Sequence, residues 1–424
     1  MIKGNRNRYK VEVWDVIQFI FSSFNDHQLH CIIDFKNHID EECLKKAVDM
    51  SAEGLPLIKC RYVEGWFRSY WEECDYTVED IVKIIKSSNI QEDVSKLITF
   101  RPDEFKGPQL RVYIIRGKDS DSICIILNHM ISDGVGMKEY VYNLSSIYSN
   151  LINNKNYKAD ITRIGSRSSK QVLNQFNFKD KINMLSSSAK LSKYNSGKYF
   201  KLEGDKSNPF IIFHNIPKDR FLEIKKFSKK TNSTVNDVLM ATYIRVIDKF
   251  LNCGPVPLPC PVNLRRYLPD GKGEAICNLT SNFVCDIGTD IGDNFNETLA
   301  KVKQVLGEEK DSLSCLKPIL LLEILFKILP YKMAKSTVIK LFNNPPIAMT
   351  NIGLIDKDRL KFEEAEIKSV HINGSIKYKP YFQVAVTTFN DEMTLSVNFH
   401  GTEKDKVEIR RFLVAFEEEL SNIK

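Results

Sequence analysis

The sequence contains no apolar run long enough to cross a bilayer. Its most apolar stretch, Ile319 to Leu329, is short, is interrupted by Glu323 and Lys327, and stands between Pro318 and Pro330. That is the pattern of a buried or amphipathic helix, so membrane contact is not expected. The N-terminus, Met1 to Arg6, is polar and no apolar signal segment follows it; a cytoplasmic chain is expected. Long basic runs and Arg-rich stripes are also missing. A net charge of +7 on 424 residues then argues against a nucleic acid as partner. The ten cysteines form no C-x-x-C pair, and neither Cys253/Cys260 nor Cys277/Cys285 has zinc-finger spacing. They read as reduced, mostly buried thiols. The histidines at 27, 30, 38, 214, 371 and 400 make no H-x-x-x-H or H-E-x-x-H motif, so no metal site is expected. Walker, Rossmann and G-x-S-x-G signatures are lacking too, which removes the commonest nucleotide-binding and serine-hydrolase classes.

What remains is a large chain with 43% hydrophobic and 27% charged residues, the composition of an ordinary globular protein. Its length suggests two lobes. Strand and helix patterns mix in both halves. His30 to Phe35, Gln109 to Arg116 and Ser122 to Leu127 read as strands, and Glu64-Gly65 as the turn of a hairpin ending at Trp71. Asp40 reads as the cap of a helix running from Glu41. Residues 152 to 200 are rich in Lys, Asn and Ser and weakly patterned, with one helix expected near Ile182 to Leu191. Phe210 to Phe213 restarts the strands. A helix capped at Thr234, strands at Val256 to Val262 and Leu279 to Asp286, helices from Ile319 to Lys340, a hairpin at Phe382 to Phe399 and a final helix from Asp405 follow. The fold class is therefore α/β (α+β), mixed sheets flanked by helices. The lobes are placed at 1–160 and 206–424, with 161–205 connecting them.

One segment stands out chemically. Asn128-His129-Met130-Ile131-Ser132-Asp133-Gly134 follows an apolar strand and precedes a helical pattern marked by Met137, Tyr140, Val141, Leu144 and Ile147. A strand-to-helix junction gives a side chain a rigid seat, and histidine can take a proton near neutral pH. Gly134 and Gly136 allow close backbone approach. Asp133 can shape the loop, by pairing with an arginine or by capping the helix. On spacing alone two readings stay open: a general base, or a buried histidine bonded to backbone. His400, closing an apolar strand, is read as a strand-end polar group rather than a second site histidine. Trp66 and Trp71 are read as packing residues.

The segment resembles the H-x-x-x-D-G signature of the coenzyme A-dependent acyltransferase superfamily, which includes chloramphenicol acetyltransferase, peptide-synthetase condensation domains, polyketide-associated acyltransferases, wax ester synthases and alcohol acetyltransferases. Further segments resemble members of that group in order and spacing. These are Thr234 to Ala241, Pro261-Val262-Asn263-Leu264-Arg265, Thr280-Ser281-Asn282-Phe283-Val284 and Thr350-Asn351-Ile352-Gly353. Two departures are visible. Many members carry two adjacent histidines, whereas the first position here is Asn128; and the Asp-Phe-Gly-Trp-Gly motif of the plant branch is absent.

The resemblance implies two chloramphenicol-acetyltransferase-like lobes with an active-site tunnel between them. It implies an acyl group moved from a thioester to a hydroxyl or amine, with His129 as general base. Asp133 and Gly134 would belong to the active-site loop, and Arg265 would pair with Asp133; the competing reading makes Arg265 and Arg266 a solvated surface pair. Ser281, Asn282, Asn351 and backbone N–H groups near Gly134 are the oxyanion or substrate-binding candidates. No cofactor is expected to reside in the protein. The donor would be acyl-coenzyme A or a phosphopantetheinyl thioester on an acyl carrier protein acting in trans, and the acceptor a small alcohol or amine. The alternative is a non-catalytic, condensation-like docking module for a carrier protein.

Overall fold

A computed structural model describes residues 6–159, 165–186, 198–271, 273, 275–341 and 345–423. The fold is mixed α/β, with two principal sheets backed by helices. The first sheet has five strands in the order Ile367–Asn373, Gln28–Phe35, Asp121–Asn128, Leu110–Arg116 and Val82–Lys86. All neighbours are antiparallel except the last pair. Every residue of Asp121–Asn128 is buried, which explains its near-continuous apolar run. Ile123, Ile125 and Leu127 join the core shared with Leu44 and Val48 of helix Glu41–Gly54 and with Met137, Tyr140 and Leu144 of helix Gly134–Asn153. Cys124 and Ile126 face the other way, and Ile211 and Phe213 of the second lobe pack against their cluster.

The second sheet runs Ile347–Ile355, Phe382–Phe389, Glu392–His400 and Pro209–Ile216. Its core includes Val384, Leu395 and Val397, together with Tyr243 and Ile247 of helix Val235–Leu251 and Phe412 and Phe416 of helix Glu403–Ser421. A separate antiparallel pair, Leu258–Asn263 with Thr280–Cys285, carries the segments singled out around Arg265 and Ser281. Strand Ile367–Asn373 lies within the span read as the second lobe, yet it pairs with Gln28–Phe35 of the first, His371 opposite Ile32 and Asn373 opposite His30. One sheet thus holds chain from both halves.

The apolar stretch at 319–329 is helix Lys317–Ile328. It ends before Pro330 and a second helix, Tyr331–Leu341, follows; proline removes an amide donor and clashes with the preceding turn. The helix expected near Ile182 to Leu191 is Phe178–Ser186, the positions after 186 lying outside the described residues. Trp71 is fully buried and packs on Tyr62, whereas Trp66 is 58% exposed. The hairpin strands end at Val63 and resume at Tyr70, so Trp66 falls in the connecting turn and not on a packed face.

Candidate active site

The buried strand Asp121–Asn128 delivers the motif to the end of the first sheet. Asn128 folds the chain over: its Oδ1 accepts the Met130 amide at 2.9 Å, and its Nδ2 donates to Gln109 Oε1 at 2.6 Å. Gln109 in turn donates to the carbonyls of Cys60, 2.9 Å, and Gly107, 2.8 Å. Asn128 is therefore a loop clip with its amide committed on both sides.

Backbone and side-chain bonds then hold His129, Met130 and Ile131. The His129 amide donates to the His27 carbonyl at 2.9 Å. Asn278 Nδ2 donates to the carbonyls of His129 and Met130, both at 2.9 Å. Arg167 Nη2 donates to the Ile131 carbonyl at 3.2 Å, and the same guanidinium grips Asp15 at 2.9 and 3.1 Å, with the Trp71 indole on the same carboxylate. Asn278, Arg167 and Asp15 escaped the sequence reading. Asn278 stands two residues before a segment that was singled out. Arg167 lies in the weakly patterned connection, where no local signal marks it.

Asp133 has two jobs. It caps helix Gly134–Asn153, its Oδ1 accepting the Gly136 amide at 2.8 Å. It also receives Arg265 Nη1 at 2.9 Å on Oδ2 and 3.2 Å on Oδ1, and the Leu279 amide at 2.7 Å. Arg265 Nη2 reaches the Cys277 carbonyl at 2.8 Å. Both side chains are buried, Arg265 only 2% exposed, while Arg266 is exposed and stacks on Tyr267. A carboxylate between a guanidinium and two amides is well compensated. Gly136 has no room for a side chain: a Cβ there would lie 2.3 Å from Ser132 Oγ and 3.1 Å from the Cys277 carbonyl oxygen.

With its backbone so fixed, the His129 side chain is partly accessible, and its Nδ1 is buried without a hydrogen-bond partner. Burial pulls the imidazole from its ordinary value down to about 4. The nearby charge of Lys377 acts in the same direction; its own carbonyl, Asp133 and Asn278 oppose it. At neutral pH the ring is uncharged and able to accept a proton. Burial likewise brings the Lys377 ammonium down to about 8, against the pull of Asp26. Lys377 bridges the lobes, pairing with Asn25 on one side and Phe399 on the other.

Along this seam, buried polar atoms lack protein hydrogen bonds: both amide atoms of Gln28, Asn373 Nδ2, Asn398 Oδ1 and His400 Nε2, together with Asp26 Oδ2 and His30 Nε2, which face each other at 3.9 Å. Buried polar groups of this kind are met by water or by a ligand. His400 closes its strand, its Nδ1 within 3.0 Å of the Lys206 carbonyl and its ring 4.5 Å from that of Tyr378.

The oxyanion candidates divide. Ser281 is buried and its hydroxyl donates to the Cys315 carbonyl at 2.6 Å. Asn282 points outward from the same strand and is exposed. Asn351 Nδ2 donates to Asn236 at 3.3 Å, and its Oδ1 accepts the Gly353 amide at 2.9 Å. Asn351 is carried by the strand that crosses the start of the motif helix: a Cβ on Gly134 would lie 2.9 Å from Ile352, and Lys138 Nζ donates to the Ile352 carbonyl at 2.8 Å. Only Gly134 and Asn351, of these candidates, share the motif's immediate surroundings.

The chain is similar to known proteins in part of its sequence and in its fold. Residues 277–424 match the WS/DGAT C-terminal domain family. No curated protein sequence matches the chain. Among solved structures, a trichothecene 15-O-acetyltransferase from Fusarium sporotrichioides is 13% identical, with a TM-score of 0.75, over 99% of this chain and 97% of that one. The first condensation domain of the calcium-dependent antibiotic synthetase is 10% identical, TM-score 0.72, over 98% and 97%. Polyketide synthase associated protein 5 from Mycobacterium tuberculosis is 14% identical, TM-score 0.67, over 98% of each chain. At such identities the structural likeness speaks for the fold, and the sequence match is confined to residues 277–424.

Proposed function

We propose that this chain, placed in the coenzyme A-dependent acyltransferase and condensation superfamily by its fold and its C-terminal match, moves an acyl group from a thioester to a hydroxyl or amine. The observation that carries the reading is His129: a neutral imidazole, partly accessible, on a loop held at Asn128, His129, Met130, Ile131 and Asp133. A base must be unprotonated, fixed and reachable, and His129 meets all three conditions.

In the proposed reaction the acceptor hydroxyl or amine attacks the thioester carbonyl while His129 takes its proton. The tetrahedral intermediate carries the charge on the former carbonyl oxygen. Its collapse breaks the carbon–sulfur bond, and the proton passes from His129 to the leaving thiolate. No acyl-enzyme forms. Amides at the start of helix Gly134–Asn153 and the Asn351 side chain are the groups best placed to receive the oxyanion. Binding both substrates between the lobes supplies proximity. The donor is acyl-coenzyme A or a carrier-borne thioester, and the protein needs no resident cofactor for this chemistry.

The test is thiol release from a panel of acyl-coenzyme A donors, acetyl to palmitoyl, with alcohol and amine acceptors. His129→Ala should lower the rate by about 10²–10⁴-fold with an unchanged melting curve. Equal release from the two proteins would refute the catalytic reading and leave a carrier-docking module in its place.

A further inference from the structure

Helices Phe178–Ser186, Lys317–Ile328 and Tyr331–Leu341 and the turn at Trp66-Phe67 leave an apolar surface uncovered. Phe178 is 79% exposed, Phe67 71%, Ile328 70%, Trp66 58%, and Met333 and Ile339 53% each. The elements that carry these side chains adjoin. The Tyr331 amide donates to the Phe67 carbonyl at 3.0 Å and the Lys332 amide to that of Trp66 at 3.2 Å. Helix Lys317–Ile328 packs against both of the other helices. Soluble monomers seldom leave so many large apolar side chains together in water.

The charge around them is mostly positive, with Lys335 paired to Glu64 of the adjoining turn. The three helices hold seven lysines and two carboxylates, Asp180 and Glu323. Asp180 accepts the Asn177 amide and Glu323 accepts the Ser169 hydroxyl, so both acids are turned back onto the protein. Lys332 lies over the Trp66 ring at 4.9 Å. Five net positive charges in three short helices are most of the +7 of the whole chain.

We infer that this surface rests on an anionic lipid membrane. Apolar tips with interspersed lysines and a tryptophan at the edge suit the boundary between headgroups and acyl chains, where lysine stems lie along apolar surface and ammonium groups meet lipid phosphates. No helix among the described residues is long and apolar enough to cross a bilayer, so the protein would lie on the surface. The sequence reading took the stretch at 319–329 as a core helix and did not expect membrane contact; Ile319 and Leu320 are buried, but the exposed apolar residues are gathered only when three helices and a turn meet. The inference is independent of the acyl-transfer reading.

The experiment is co-sedimentation of the full chain with vesicles of phosphatidylcholine alone and of phosphatidylcholine with phosphatidylserine. Binding to the anionic vesicles, weakened by salt, is expected. Ile328→Asp with Ile339→Asp should reduce it by about tenfold or more while the melting curve holds. Lys332→Ala with Lys340→Ala should reduce the lipid-charge preference and its salt dependence. Equal binding to both vesicle types, no binding to either, or retention by the Ile328/Ile339 variant would overturn the inference. Capture of an acidic carrier protein that these same substitutions abolish, without vesicle binding, would also overturn it.

Discussion

Removing Arg265 isolates a buried carboxylate at the base of the motif loop. Arg265→Ala takes away both bonds from Nη1 to Asp133 and the 2.8 Å bond to the Cys277 carbonyl. Breaking one half of a buried ion pair costs about 3–5 kcal/mol, because the remaining charge stays in a poorly solvating site. Asp133 keeps the Gly136 and Leu279 amides, and these soften its isolation, so a cost of about 3 kcal/mol is expected. That is a large part of the 5–15 kcal/mol typical of a folded domain, roughly. Urea unfolding of wild type and variant measures it. The neighbouring control is Arg266→Ala, whose exposed side chain stacks on Tyr267; its effect should stay within about 0.5 kcal/mol. If the loop seats His129, the turnover rate of Arg265→Ala should fall by about 10²-fold, the usual effect of displacing a reacting group by an ångström or so. A stability loss below about 1 kcal/mol, or matching effects at 265 and 266, would refute the view that this pair anchors the site.

Two further outcomes follow from the same geometry. Burial lowers the His129 imidazole to about 4, so the base form persists at every pH above that value and is lost only as pH falls through it; kcat/KM measured from pH 5 to 7.5 should show no limb near the ordinary histidine value of about 6.5, and such a limb would contradict the buried, neutral ring. Ser281→Ala removes a hydroxyl already donated to Cys315. It should cost about 1–3 kcal/mol in unfolding experiments with kcat nearly unchanged, whereas a fall of about 10²-fold would make Ser281 an oxyanion donor.

The strands at Gln28–Phe35 and Asp121–Asn128 and the helices at Glu41 and Gly134 were legible because burial patterns and caps are local. The Asp40 and Thr234 caps stand where the sequence put them, accepting the amides of Cys43 and Asp237. Strand Ile367–Asn373 was not legible. It is buried by a partner more than three hundred residues away, and nothing in its own composition names that partner. The same limit hid Arg167 and Asn278, whose importance lies in which carbonyls they meet. It also made Trp66 look like Trp71, since a turn's exact start decides which indole is buried.

By itself, then, the sequence determined the motif, the mixed fold class and the residue types available for chemistry, because spacing, hydrophobic period and capping are properties of neighbouring residues. Tertiary structure alone decided that Asp133 and Arg265 meet, that His129 is neutral and reachable, that the Ser281 hydroxyl is already occupied, and that exposed apolar side chains of three lysine-bearing helices and one turn lie on adjoining elements. Each of those depends on burial and on partners distant in the chain, and desolvation cannot be read from a residue's neighbours in sequence.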